Sequence, residues 1–268
     1  SMIIKFLKNN NFLVGLSIDG TQYTHDFYRH DKNGATTFDR IKKAAELMSE
    51  YSIKYNILTV VNDKVASNIL EIYSYYKENG WNYQQYIACL DPLDEKRGEK
   101  KYALRQEQYG KFLIQLFNLW YEDWEKNEQP YIRQFDNYIA ILLGYQPESC
   151  EQRGTCGIQN VVEADGSVFP CDFYMTDDYY IGNYNYDQTE TIDEKRREIG
   201  FVARSTNISD ECRECKFIKI CRNGCQRCRD KDDITGKYRN YFCESYKMFF
   251  DECLDKMEYI ASYIAKKN

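Results

Sequence analysis

The residues in this sequence best equipped for chemistry are its thiols. Eleven cysteines stand against two histidines and four prolines. Nine of them (Cys150, Cys156, Cys171, Cys212, Cys215, Cys221, Cys225, Cys228 and Cys243) fall between residues 150 and 243, whereas the first 149 residues hold only Cys89. Counted out, they run Cys150-x5-Cys156-x9-Gly166-x4-Cys171, then Cys212-x2-Cys215-x5-Cys221-x3-Cys225, then Cys243. Two thiolates separated by two residues can serve one centre, because the turn between them points both sulfurs inward. Three chemistries compete for such a set. Disulfides need an oxidising compartment, and no export signal leads this chain to one. Structural zinc would take Cys212, Cys215, Cys221 and Cys243 as a closed tetrahedral site. Iron-sulfur clusters account for the count best, since eight thiolates make two complete sets of four with no histidine nearby. A thiolate-bound four-iron cluster carries a formal charge of about −2 when oxidised, and a counter-charge should lie close. Arg213, Lys216, Lys219, Arg222, Arg227 and Arg229 are placed to supply it. The same cations also read as a solvated basic face.

Those thiols need elements to hold them, and the chain changes grammar before it reaches them. Phe12 to Ile18 is a near-continuous apolar run ended by Asp19-Gly20, the pattern of a strand buried in a parallel sheet. A helix over Thr37 to Tyr51 follows, with Phe38, Ile41, Ala45 and Met48 at helical spacing. Ile53 to Val61 reads as a second strand, Val65 to Asn79 as a helix closed by Gly80, Tyr83 to Cys89 as a third strand, and Gln106 to Lys126 as a long helix. Successive β-α units define an α/β architecture with right-handed crossovers. Three parallel strands do not close a barrel, so the chain reads as if it began in the middle of a larger fold. After Pro130, Phe135 to Leu143 reads as a short helix and Asn160 to Pro170 as a hairpin with Asp165-Gly166 in a type I′ turn. Thr191 to Ala203 reads as a helix, 209–243 as a cysteine-dense stretch without periodicity, and Tyr246 to Lys266 as a closing helix. A segment with so little apolar periodicity needs a covalent or metal staple to be ordered.

Composition excludes several functions. With 43% apolar residues over 268 positions the chain can bury a core. A net charge of −6 offers no field for a phosphate backbone, so nucleic acid is not an expected partner. No apolar stretch approaches the roughly 20 residues of a membrane span, and the expectation is a soluble cytoplasmic protein. Ser1 before Met2 reads as a residue left by tag removal. The aromatic residues at helical spacing, Tyr73, Tyr76, Phe112 and Phe117, read as core, and His25 and His30 as ordinary polar loop residues.

Taken together, the Cys150 to Cys243 pattern, with four residues between Gly166 and the next cysteine, resembles the SPASM domain of radical S-adenosylmethionine (SAM) enzymes. More closely, "FLVGLSIDG", "CLDPL", "DGSVFPCDFY" and "YFCESYK" resemble the anaerobic sulfatase-maturating enzymes, which oxidise an active-site Cys or Ser of a sulfatase to formylglycine. The likeness runs over nearly the whole chain from about Phe6. It implies residues 1–129 as the C-terminal half of a partial radical-SAM (β/α) barrel and residues 130–268 as a SPASM-type auxiliary cluster domain with its closing helix. Two four-iron clusters are implied, or zinc in their place. The first would use Cys150, Cys156, Cys171 and Cys225, the second Cys212, Cys215, Cys221 and Cys243, leaving Cys89, Cys228 and Cys253 spare. Asp172 matches the family's general base, which takes the proton from the substrate thiol or hydroxyl and so calls for a partly buried carboxylate. Ser17 and Arg29 match positions that contact SAM, Arg29 through the methionine carboxylate. The family's CxxxCxxC motif and Gly-Gly-Glu segment belong to the first three β-α units and are missing from the front of this sequence, and no other three-cysteine run is taken as a substitute. The resemblance therefore implies an N-terminally truncated enzyme, inactive alone, that uses SAM only when the missing half is supplied and takes a sulfatase peptide as substrate. The alternative is a non-catalytic cluster-bearing or zinc-bearing module for peptide binding or electron transfer. A half-barrel would leave the Phe12 to Ile18 strand as an open edge, covered by self-association, a partner chain or the first residues folding back.

Overall fold

A computed structural model describes residues 2–93 and 95–267, so Ser1 lies outside the described residues. The chain divides into two compact units: residues up to 144 together with those from 244 onward, and residues 145–243.

The first unit runs α1 (Met2–Asn9), β1 (Val14–Ser17), α2 (Gln22–Asp26), α3 (Phe38–Glu50), β2 (Tyr55–Val61), α4 (Asp63–Ser67), α5 (Ile69–Glu78), β3 (Tyr83–Ala88), α6 (Gln106–Lys126), β4 (Tyr131–Ile132) and α7 (Arg133–Leu142). Its strands form one sheet in the order β1-β2-β3-β4, parallel throughout. The α/β class and the three expected strands are present. The fourth strand, only two residues long after Pro130, carries too little pattern to be read. The helix expected over Val65 to Asn79 is two helices. Asn62 caps the first, its side chain accepting from Lys64 N and Val65 N, and Asn68 leaves helical geometry between them.

Aromatic side chains fill this core. Phe112, Phe117 and Tyr86 are buried, as are Tyr73 and Tyr76, in agreement with the core reading of the helical-spaced aromatics. Each fully buried side chain of this size contributes about 1.5–3 kcal/mol relative to exposure. Phe117 packs edge-on against Phe135 of α7 at 5.1 Å between ring centres.

The second unit contains α8 (Cys150–Arg153), an antiparallel sheet of β5 (Val161–Val162), β6 (Ser167–Phe169) and β7 (Gly182–Asn183), then α9 (Thr189–Glu198), α10 (Phe201–Arg204), α11 (Asp210–Glu214), α12 (Ile218–Cys221) and a hairpin of β8 (Arg229–Lys231) and β9 (Tyr238–Asn240). Its apolar packing includes a cluster of Val168, Ile181 and Ile192, flanked by Ile199, and an aromatic one of Tyr174, Tyr179 and Phe201.

Two expectations change. The β5-β6 turn is not type I′, which needs positive φ at both central residues: Gly166 has φ +86° but Asp165 does not enter that region. Glu163 instead exchanges hydrogen bonds with Ser167 and Gly166, a three-residue loop closed by the glycine. The helix expected from Thr191 to Ala203 stops at Gly200, whose φ of +64° separates α9 from α10. The closing helix α13 (Cys243–Lys267) belongs, from Glu244 on, with the first unit, where Phe249 meets Phe117 at 5.9 Å and Phe250 meets Tyr138 at 5.2 Å. Among the described residues no helix is long and apolar enough to cross a membrane.

Candidate metal centres and the strand-end site

All nine clustered thiols lie in the second unit, and local backbone features aim them. Cys150 opens α8, which ends at Gly154 with φ +69°. A Cβ on that glycine would meet the backbone oxygen of Arg222 at 2.0 Å, so only glycine lets the two loops approach. Cys156 N donates to Ser205 Oγ at 2.9 Å. Ser209 caps α11 by accepting from Cys212 N at 3.3 Å. Beyond Cys221, Arg222, Asn223 and Gly224 are all left-handed, with φ of 51°, 65° and 58°. Two non-glycine residues in succession there mark a backbone over-determined by its surroundings.

No two cysteines are joined, since all eleven thiols are free. The charges that act on each sulfur sort them into groups. Burial pushes Cys156 up to about 11, helped by Cys225 and Cys150. Burial also raises Cys171, with Asp172 and Cys225 adding to it. Cys221 is pushed up to about 12 by burial and then by Cys243, Cys212 and Cys215. Cys225 goes the other way: the Cys228 thiol donates to it and favours its thiolate.

The spacing CxxxCxxC does occur in this sequence, at Cys221, Cys225 and Cys228, contrary to the expectation that no such run exists outside the front of the fold. The left-handed stretch divides it. Cys221 stands among Cys212, Cys215 and Cys243, while Cys225 stands with Cys228 and with Cys156 and Cys171.

The donor chemistry fits iron-sulfur clusters. Among the described residues no three His, Cys, Asp or Glu side chains close around a single ion. Eight thiolates without a histidine beside them are the donor set such clusters take, one thiolate to each iron. Of the six cations expected as counter-charges, Arg213, Lys216 and Lys219 are exposed and Arg222 is half-buried, whereas Arg227 and Arg229 are buried. Burial lowers Arg229, and the thiols of Cys156, Cys225, Cys228 and Cys212 act against that lowering. The spare Cys253 is buried in α13 and pushed up to about 12 by burial. Cys89 follows β3 and is pushed up to about 11 by burial, then by Asp19, Asp91 and Asp63.

Asp172 directly follows Cys171 and is exposed, not partly buried as its expected role would suggest. The Cys171 thiol donates to its Oδ1 at 3.2 Å. Ser17 is the last residue of β1 and exposed, at the carboxyl end of the sheet where α/β ligand sites lie. Arg29 is already paired: its Nε and Nη2 donate to the buried Asp19 at 2.6 and 3.2 Å. Asp19 Oδ1 also accepts from Val60 N at 2.8 Å, tying the corner after β1 to β2. Gly20 turns that corner at φ +90°, where a Cβ would strike Thr24 Oγ1 and Ile72, and its N–H donates to Tyr76 Oη.

His25 is not a loop residue. It lies in α2 and is fully buried. Its Nδ1 accepts from Asp19 N at 3.1 Å, so the proton sits on Nε2, which donates to Thr37 Oγ1 at 3.0 Å. Burial lowers its pKa below the usual 6.5. Asp19 and His25, which hold the corner, carried no sequence signal beyond the Asp-Gly that ends the strand.

Clustered free thiols beside a parallel α/β sheet suit a protein that binds iron-sulfur clusters. Residues 153–216 match the SPASM family, described as an iron-sulfur cluster-binding domain. The match includes Cys156, Cys171, Cys212 and Cys215 and leaves Cys150, Cys221, Cys225 and Cys243 outside it. A cysteine-type anaerobic sulfatase-maturating enzyme of Clostridium perfringens is 41% identical over 260 residues, covering 97% of this chain and 70% of that protein. A cysteine-type enzyme of Clostridium novyi is 39% identical, and a serine-type enzyme of Bacteroides thetaiotaomicron 28% identical over 96% of this chain and 65% of its own length. The solved structure of native anSMEcpe with bound AdoMet and Cp18Cys peptide superposes with a TM-score of 0.90, at 41% identity over 97% of this chain and 72% of that one. The chain belongs to the anaerobic sulfatase-maturating enzyme family.

Proposed function

We propose that these residues form the cluster-bearing and peptide-engaging part of a maturase acting on a sulfatase cysteine. The cysteine type is favoured because such relatives reach 41% identity against 28% for a serine-type one. The observation that carries the reading is the match of residues 153–216 to an iron-sulfur cluster-binding domain, with Cys225 acting on Cys156 and Cys171, and Cys243, Cys212 and Cys215 acting on Cys221. Cys150, Cys156, Cys171 and Cys225 would hold one four-iron cluster, and Cys212, Cys215, Cys221 and Cys243 the other. Such clusters supply one-electron acceptors. The protein's own residues do the rest. Asp172 takes the proton from the substrate thiol. Its bond from the Cys171 thiol is released when that sulfur becomes a ligand, because a bound thiolate has no proton to donate. Ser17 and Arg29 contact SAM. With Nε and Nη2 committed to Asp19, Arg29 turns Nη1 to the methionine carboxylate.

The CxxxCxxC run at Cys221 to Cys228 is divided between two sets, so the cluster that activates SAM comes from outside these 268 residues. On their own they hold clusters and engage peptide without converting it. The edge of β1, entered through the exposed Phe12 and Leu13, is covered in solution by a second copy or a partner chain. A monomer by light scattering, with that edge open to hydrogen exchange, would count against this.

Anaerobic quantitation of iron and sulfide with an absorption spectrum tests the core of the reading. About eight irons per chain are expected for two four-iron clusters. Zinc without labile sulfide overturns it.

A further inference from the structure

The second unit buries a cation that no carboxylate answers. Arg229, the first residue of β8, is 6% exposed. Its Nε donates to Asn223 O at 3.0 Å, Nη1 to Ser205 O at 2.5 Å, and Nη2 to Gly154 O at 2.8 Å and Gly224 O at 2.6 Å. Four of the five guanidinium N–H groups are thus committed to neutral backbone carbonyls. Among the described residues it forms no ion pair with Asp or Glu. Arg196, similarly buried, has Asp193 beside it. An uncompensated buried charge costs several kcal/mol, so a guanidinium in this setting calls for negative charge from another source.

The carbonyls it gathers locate that source. Gly154 lies two residues before Cys156, and Ser205 receives the Cys156 N–H on its hydroxyl. Asn223 and Gly224 are the left-handed residues between Cys221 and Cys225. Asn223 also accepts the Cys212 thiol at Oδ1, at 3.6 Å. Cys156 and Cys225 belong to one proposed ligand set, Cys212 and Cys221 to the other. The guanidinium therefore ties together the backbone segments on which both sets are built.

We propose that Arg229 is the shared counter-cation of both cluster sites, positioning their ligand loops and setting the reduction potential of each. This rests on the reading that each set of four cysteines holds a four-iron cluster. Reducing such a cluster adds one electron, and hence one negative charge, without losing a ligand. A fixed cation nearby favours the reduced form, so it raises both potentials, and its removal lowers both.

The test uses the full chain, reconstituted anaerobically with iron and sulfide, as parent, Arg229→Lys and Arg229→Gln. Iron and sulfide are counted, and each cluster is titrated with dithionite and followed by electron paramagnetic resonance. Arg229→Lys should load both clusters and keep both potentials near the parent's. Arg229→Gln should lower the reduction equilibrium constant of both by about tenfold or more, about 59 mV for one electron. Loading by the lysine variant but not the glutamine variant would likewise support a requirement for charge. Unmoved potentials in a fully loaded Arg229→Gln protein, a shift in one cluster only, or equal loss of metal from both variants would overturn the proposal. A parent chain without iron and sulfide would instead defeat the cluster reading itself, and the iron count tells the two failures apart.

Discussion

Replacing Asp19 by Asn tests the corner that positions Arg29. The carboxylate is 3% exposed and accepts three hydrogen bonds, two from Arg29 and one from Val60 N. Asparagine keeps an acceptor for Val60 N but turns an amide toward the guanidinium and removes the charge. Breaking a fully buried ion pair costs about 3–5 kcal/mol. The Arg29 side chain is 32% exposed, so water recovers part of its solvation, and about 2–3 kcal/mol is expected for Asp19→Asn. Arg29→Met should cost more, because it leaves a carboxylate of 4% exposure without its cation. The double variant should then fall short of the sum by about 2 kcal/mol. Trp81, Trp120 and Trp124 all lie in the first unit, so tryptophan fluorescence during urea unfolding reports that unit without interference from the thiol-rich one. A loss under about 0.5 kcal/mol, or a coupling indistinguishable from zero, would refute the argument that charge holds this corner.

Three further outcomes are expected. Because burial depresses the His25 pKa below 6.5, the unfolded chain binds a proton near pH 6.5 before the native state does. Stability of the first unit should therefore fall as pH drops through 6.5, by up to about 1.4 kcal/mol per pH unit, and His25→Gln should flatten that slope in tryptophan-monitored urea titrations at pH 7.5 and 5.5. Anaerobic chelation of a loaded sample should open residues 150–243 to hydrogen exchange while tryptophan emission stays native, since metal binding there is folding energy; protection unchanged by chelation would argue against a metal staple. Gly154→Ala should abolish iron retention, because its Cβ meets the Arg222 backbone oxygen at 2.0 Å, whereas Gly200→Ala, also at positive φ but with open space around it, should cost only about 1–2 kcal/mol and retain iron by quantitation.

Much of the architecture was legible because its signals are local. β1, β2, β3 and α3 follow from apolar runs and helical spacing, and α6 occupies the span that its apolar stripe marks. The two-residue β4 and the β8-β9 hairpin were not, because strands so short have no period to read. The clustering of thiols and their preference for inorganic centres over disulfides were likewise visible as count, spacing and the absence of histidine.

Which thiol joins which set is different. Spacing alone offers Cys221, Cys225 and Cys228 as one triad; a left-handed turn at Arg222 and Asn223 lies inside it, and of the two only the asparagine is a residue type that favours that conformation. In the same way nine cations sit along the thiol-dense stretch, and nothing in their order says that Arg229 is buried on four carbonyls while Lys216 faces solvent. Residue type and spacing are carried by the chain itself and determined the class of chemistry. Burial and charge compensation depend on segments far apart in sequence being brought together, and only the tertiary structure decided those.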